Sequence, residues 1–255
     1  MTLTSGTPVT TSDVTAATTI YFTPYKGNQI GLYDGSAWDL YAFTERSLSL
    51  SGYTADKNYD IWVYDNSGTV TLDSTVWTND TTRATALTTQ DGVYVKSGDA
   101  TRRYLGTIRI TGTTGQTEDS ATKRYVWNND NRVPRMLKKL ASSTWNYTSA
   151  SWRQWNATAS YKVESVIGVR EDTINILIVG RGIKLNQAVG VNTTSSVVAG
   201  ATQASNDTTS TIVVPSNYVA VPTLGYSYYA MIEYGNASNT TDSYDIWGLT
   251  GEVFA

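Results

Sequence analysis

The 255-residue chain has no cysteine and no histidine. Without cysteine there can be no disulfide, no thiolate nucleophile and no cysteine-ligated zinc or iron–sulfur site. Without histidine the commonest general acid/base and most transition-metal sites are gone, and a Ser-His-Asp triad cannot be built. Charge is scarce too: 16% of residues are charged, against the usual quarter. The formal net charge of −3 lacks the basic character that a nucleic-acid partner calls for. Apolar stretches such as 174–179 and 219–221 fall far short of the roughly 20 residues that span a bilayer. Residues 1–6 show no basic region leading into an apolar one, so no secretory leader is expected and folding in a cytoplasm is. No catalytic residue, cofactor site or metal site is expected, and neither is membrane insertion.

What the chain does have is threonine, serine and asparagine in abundance, with 18 Tyr, 8 Trp and 40% hydrophobic residues. Hydroxyl and amide side chains favour strands and turns over helix, and the aromatic load excludes disorder. The fold class is therefore all-β. Tyr59 to Tyr64 alternates, with Tyr59, Ile61 and Val63 on one face and Asp60, Trp62 and Tyr64 on the other. It returns through Asp65-Asn-Ser-Gly68 into residues 69–72. Asp34-Gly35 signals a type I′ hairpin turn. Residues 93–96 pair with 103–110. Residues 81–87 are expected as a short helix or turn.

Four regions follow. Residues 1–18 form an N-terminal arm, 19–128 a small N-terminal β domain, and 129–141 a polar, proline-marked and in part basic linker with a brief helical turn. Residues 142–255 form a C-terminal jelly-roll-like β-sandwich with strands at 152–155, 162–169, 173–179, 190–191, 211–214, 218–221, 226–234 and 247–254. The strand at 173–179 is apolar on nearly both faces, which makes it central or subunit-facing. Residues 186–211 read as one weak strand and a long loop.

Several groups carry possible chemistry. Asp56 to Asp60 matches the first half of a calcium loop but lacks its Gly and distal Glu, so a solvated turn is expected. Glu164, Glu171, Asp172, Glu233 and Glu252 raise the paired carboxylates of a glycosidase, which must sit about 5–10 Å apart; solvated faces are the plainer reading. The basic run of Lys123, Arg124 and residues 132–139 is expected as a solvated connector. Asparagine sequons at Asn79, Asn146, Asn156, Asn192, Asn206, Asn236 and Asn239 follow from composition. The aromatic clusters weigh more. Trp145, Tyr147, Trp152 and Trp155 form one, and Tyr226, Tyr228 and Tyr229 lie in another, with Tyr226 and Tyr228 on one face and Tyr229 opposite. Core or subunit-interface packing comes first for these rings, and stacking on sugars second.

The strings Tyr21-Phe-Thr-Pro-Tyr-Lys-Gly27, Tyr33-Asp-Gly-Ser-Ala-Trp38, Thr78-Asn-Asp-Thr-Thr-Arg83, Gly92-Val-Tyr-Val-Lys96, Arg102-Arg-Tyr-Leu-Gly-Thr107 and Lys123-Arg-Tyr-Val-Trp-Asn128 resemble a widespread group of tailed-bacteriophage and prophage proteins. The closing Gly248-Leu-Thr-Gly-Glu-Val-Phe-Ala255 is similar to their terminal strand. The resemblance spans residues 20–140 well and the rest loosely. It implies a virion structural role as fibre, appendage or capsid decoration, assembled in the host cytoplasm, with capsid, portal or tail proteins as partners and a trimer as the form. It carries no catalytic residue. The alternative is a host-surface carbohydrate-binding adhesin, and after it a polysaccharide depolymerase.

Overall fold

The computed structural model describes residues 1–141, 143–205, 210–235, 240–242 and 247–255. The sequons at Asn206, Asn236 and Asn239 lie outside them. The chain is all-β; among the described residues the one helical turn is the 3₁₀ segment Trp155–Ala157. The strands form three large sheets and two hairpin-sized pairs.

In the first half the strand Asn58–Asn66 pairs with Thr69–Val76 on one side and Asp99–Arg109 on the other. Side chains alternate along a strand, and both faces here are covered. Tyr59, Ile61 and Val63 enter one apolar cluster, and Trp62 enters a second with Tyr104 and Trp127. The turn after it is a two-residue loop, Ser67-Gly68, with φ of 52° and 87°, which fits type I′. The turn expected at Asp34-Gly35 differs. Tyr33 pairs with Trp38, leaving a four-residue loop. Asp34 closes it by accepting from the Ser36 and Ala37 amides at 2.6 and 2.7 Å, and only Gly35 takes positive φ. Residues 81–87 form no helix, consistent with their threonines.

The second half contributes most of a sandwich. Ile174–Ile183 pairs with Ile212–Ala220 on one side and Gly248–Phe254 on the other. Its inward row, Ile174, Ile176 and Ile178, is fully buried against Val163, Val189, Tyr229 and Met231. Each such isoleucine contributes about 1.5–3 kcal/mol of burial. The strands expected at 211–214 and 218–221 are one continuous strand. Pro215 does not break it because it sits on an edge, where no ladder N–H is required.

Two expected boundaries look different in three dimensions. The segment 129–141 contains the strand Pro134–Leu140, paired along its length with Gly248–Phe254. Its arginines are tied down: Arg135 pairs with Asp119 at 2.9 Å, a carboxylate that it shares with Arg124, and Arg132 pairs with Glu171 and Asp172. A helix here would forfeit that ladder. Residues 1–18 pack onto the body. Met1 and Leu3 are buried, Thr2 bridges Tyr21, and Val14–Ala17 pairs with Thr117–Asp119. That last pair extends the same sheet, through Lys123–Arg124, to Lys162–Ile167 and Gly225–Tyr234 of the second half. Arg83 ties the halves further. Its Nε donates to Asp60 at 2.8 Å, and its guanidinium also donates to the Gly168 carbonyl. Burial pushes the Asp60 carboxyl up against the opposing pull of Arg83 and Thr107.

Candidate functional site

The strand Gly225–Tyr234 organises the aromatic residues singled out in the sequence. It runs without a register break between Lys162–Ile167 and Asn186–Val191. Its odd and even residues therefore take opposite faces. Tyr229 and Met231 join the buried core, while Tyr228, Ala230 and Ile232 pack outward with Ala188 and Trp152.

Trp145, Trp155 and Tyr229 are core residues, at 8%, 0% and 1% exposure. Trp145 lies against Trp155 and Tyr161, with ring centroids 5.5 and 5.9 Å apart. Its indole donates to Glu233 Oε2 at 2.7 Å. These three rings are packed inside the core, away from solvent. Trp152, Tyr147, Tyr226 and Tyr228 are half-buried. Trp152 lies beside Tyr234 at 5.5 Å, and Arg153 stacks on Tyr147 at 3.7 Å.

Glu233 and Glu164 are held by partners within the chain. Glu233, fully buried, accepts from Trp145, from Arg153 Nε at 2.8 Å and from the Asn156 amide at 3.0 Å. Burial raises its pKa even against these donors. Glu164 is also buried, which works to raise its pKa. Hydrogen bonds from Tyr125, Tyr226 and Lys162 outweigh burial and hold it below the usual range. Burial, together with the charge of Glu164, pushes the Tyr125 hydroxyl well above the ordinary tyrosine range. Glu164 pairs with Tyr228, so it faces outward, whereas Glu233 lies five residues further on and faces inward. The two cannot flank one glycosidic bond. Asp60, the last oxygen of the partial calcium loop, is engaged by Arg83 and Thr107.

What sequence reasoning did not resolve is the outer face of the other sheet. Register places Val219, Asn175, Glu252 and Met136 in one row. Asn217, Leu177, Thr250 and Lys138 form the next, and Pro215, Val179, Gly248 and Leu140 the third. Met136, Val213 and Val219 are 62%, 49% and 52% exposed. The signal was present in the two-sided apolar pattern at 174–179, but the partners across the sheet come from distant sequence. Other segments meet this sheet at points along its two outer strands. Lys138 N donates to Ala121 O at 2.7 Å, and Arg124 caps the Met136 carbonyl with two donors at 3.0 and 2.7 Å. Thr202 exchanges hydrogen bonds with Asn217 on the opposite edge.

No protein-family model matches the chain, and no curated protein matches it. The class that fold and site define is an all-β protein whose buried Asp60, Asp119, Glu164 and Glu233 are each paired within the chain.

Proposed function

We propose that the chain is a structural subunit of a tailed-phage virion: a fibre, appendage or capsid-decoration protein carried on head or tail. It assembles as a homotrimer and contacts capsid, portal or tail proteins. The observation that supports this reading best is the outer face built by Pro134–Leu140, Gly248–Phe254, Ile174–Ile183 and Ile212–Ala220. Its valines, Leu177, Leu140 and Met136 are mixed with Asn175, Asn217 and Thr250 and bordered by Lys138, Arg181 and Glu252. Exposed apolar side chains set among polar ones across a sheet face suit a subunit contact. A heterologous contact of this kind closes into a ring when its rotation allows. The resemblance of residues 20–140 to phage and prophage proteins points the same way, and folding in the host cytoplasm followed by release on lysis needs no disulfide, in keeping with a chain without cysteine.

The test is to purify particles from the phage or prophage that encodes the chain and to quantify it by mass spectrometry and antibody labelling. A fixed copy number per particle at one location is expected. Its absence from purified particles would overturn the proposal.

A further inference from the structure

A cleft of about 350 Å³ opens beside the hairpin Gln29–Tyr33/Trp38–Ala42, between the loop carrying Tyr25 and the turn at 128–131. The volume is within the range of small-ligand sites, about 300–1,000 Å³. Its wall combines rings with amides. Phe22 and Phe43 stack at 4.7 Å, 11° from parallel, as an apolar base. Tyr25 is 46% exposed, at the start of an exposed stretch that runs through residues 25–29. The loop that presents it turns at Lys26 and Gly27, with φ of 58° and 145°.

The charges of the cleft are nearly balanced. Arg103 donates to the Gly31 carbonyl at 3.0 Å and to Asp130 at 3.1 Å. That leaves Lys26, which lies 5.1 Å from the Tyr25 ring centroid, and the Met1 α-amino group, whose pKa burial pushes down to about 5 and which donates to Asn128 Oδ1. Among the described residues, the Gln29 and Asn131 side chains hydrogen-bond to no other group of the chain, so their donors and acceptors are open to a ligand. Each amide offers two donors and one acceptor oxygen.

We propose that this cleft binds a neutral hexopyranose unit of a polysaccharide. A pyranose has an apolar C–H face that lies on an aromatic ring, here Tyr25, and a rim of hydroxyls that exchanges hydrogen bonds with side-chain amides, here Gln29 and Asn131. A phosphate or sulfate would need a cation pair, and Arg103 is already spent on Asp130. A carboxylated sugar would meet the Asp130 carboxylate, which is 54% exposed. The site lies apart from the aromatic clusters at 145–155 and 226–229. It gives the virion subunit a host-surface ligand, and it rests on the virion reading only for that biological role.

The test is saturation-transfer NMR on the full chain with the methyl glycosides of glucose, galactose and mannose at millimolar concentration, and methyl glucuronide as the anionic comparison. Transfer to at least one neutral glycoside is expected. Tyr25→Ala should weaken it about tenfold or more, by analogy with the loss of ring stacking at nucleic-acid sites. Trp152→Ala, on the other sheet, should bind as the parent does. Circular dichroism confirms that each variant is folded. No transfer to any neutral glycoside, undiminished binding by Tyr25→Ala, or preference for the glucuronide would each overturn the proposal. The chain alone is titrated, so failure here leaves the virion reading standing, and absence from particles leaves the site standing.

Discussion

Removing Arg153 exposes how the sandwich tolerates a charge in its core. Glu233 is fully buried and, among the described residues, Arg153 is its one cationic partner, with a side chain 29% exposed. Breaking a buried pair by deleting one member costs about 3–5 kcal/mol. Trp145 and the Asn156 amide still donate to Glu233 in Arg153→Met, and the arginine was partly solvated, so the expected loss falls to about 2–4 kcal/mol. The pH dependence identifies the cause. Burial already holds the folded Glu233 pKa above its unfolded value. The stability this group contributes is therefore complete below the unfolded pKa and is lost as pH rises through the folded one. Without Arg153 the folded pKa moves higher still, so the deficit should shrink as pH falls from about 7.5 to 5. Urea unfolding of parent and variant at both pH values measures this, and the deficit should also diminish in a Glu233→Gln background. A deficit under about 1 kcal/mol at pH 7.5, or one that does not change with pH, would refute the reasoning.

Glu164 carries the opposite sign. Its folded pKa is held low, so its contribution is present above the unfolded value and lost as pH falls. Glu164→Gln should cost about 1–2 kcal/mol at pH 7, and the gap to the parent should close toward pH 4 in the same urea assay. Gly168→Ala places a Cβ 2.2 Å from both the Trp127 ring and the Tyr104 hydroxyl; calorimetry should show a lower Tm and about 1–3 kcal/mol lost from overpacking. Ser67→Asn should raise stability by a few tenths to about 1 kcal/mol, because asparagine accepts the positive φ of this I′ turn more readily, and chemical denaturation reads the gain.

Alternation within a strand was legible in the sequence. Tyr59–Tyr64 and the opposed faces of Tyr228 and Tyr229 follow from period two alone, since neighbouring side chains in a strand must diverge. Pairing over long distances was not. Arg135-Met-Leu-Lys-Lys-Leu140 has a helix-compatible composition, and becomes a strand because its partner lies more than a hundred residues further on. The arm reads as polar, yet Met1, Leu3 and Val14 find apolar surface made by other segments. Trp145 and Trp155 could be grouped as one aromatic cluster, but their packing involves Tyr161 and Glu233 from elsewhere in the chain. The Tyr25 cleft was hidden for the same reason: Gln29 and Asn131 meet only after folding.

The subunit-contact face is the centre of the account, and light scattering of the purified chain tests it most directly. Wild type should show roughly three times the 27.8 kDa of one chain. Val219→Asp, which places a charge in the outermost row beside Asn175 and Glu252, should return the mass to that of the monomer with its circular dichroism unchanged. A wild-type chain that stays monomeric at every concentration, or a Val219→Asp chain that keeps the oligomeric mass, would contradict it.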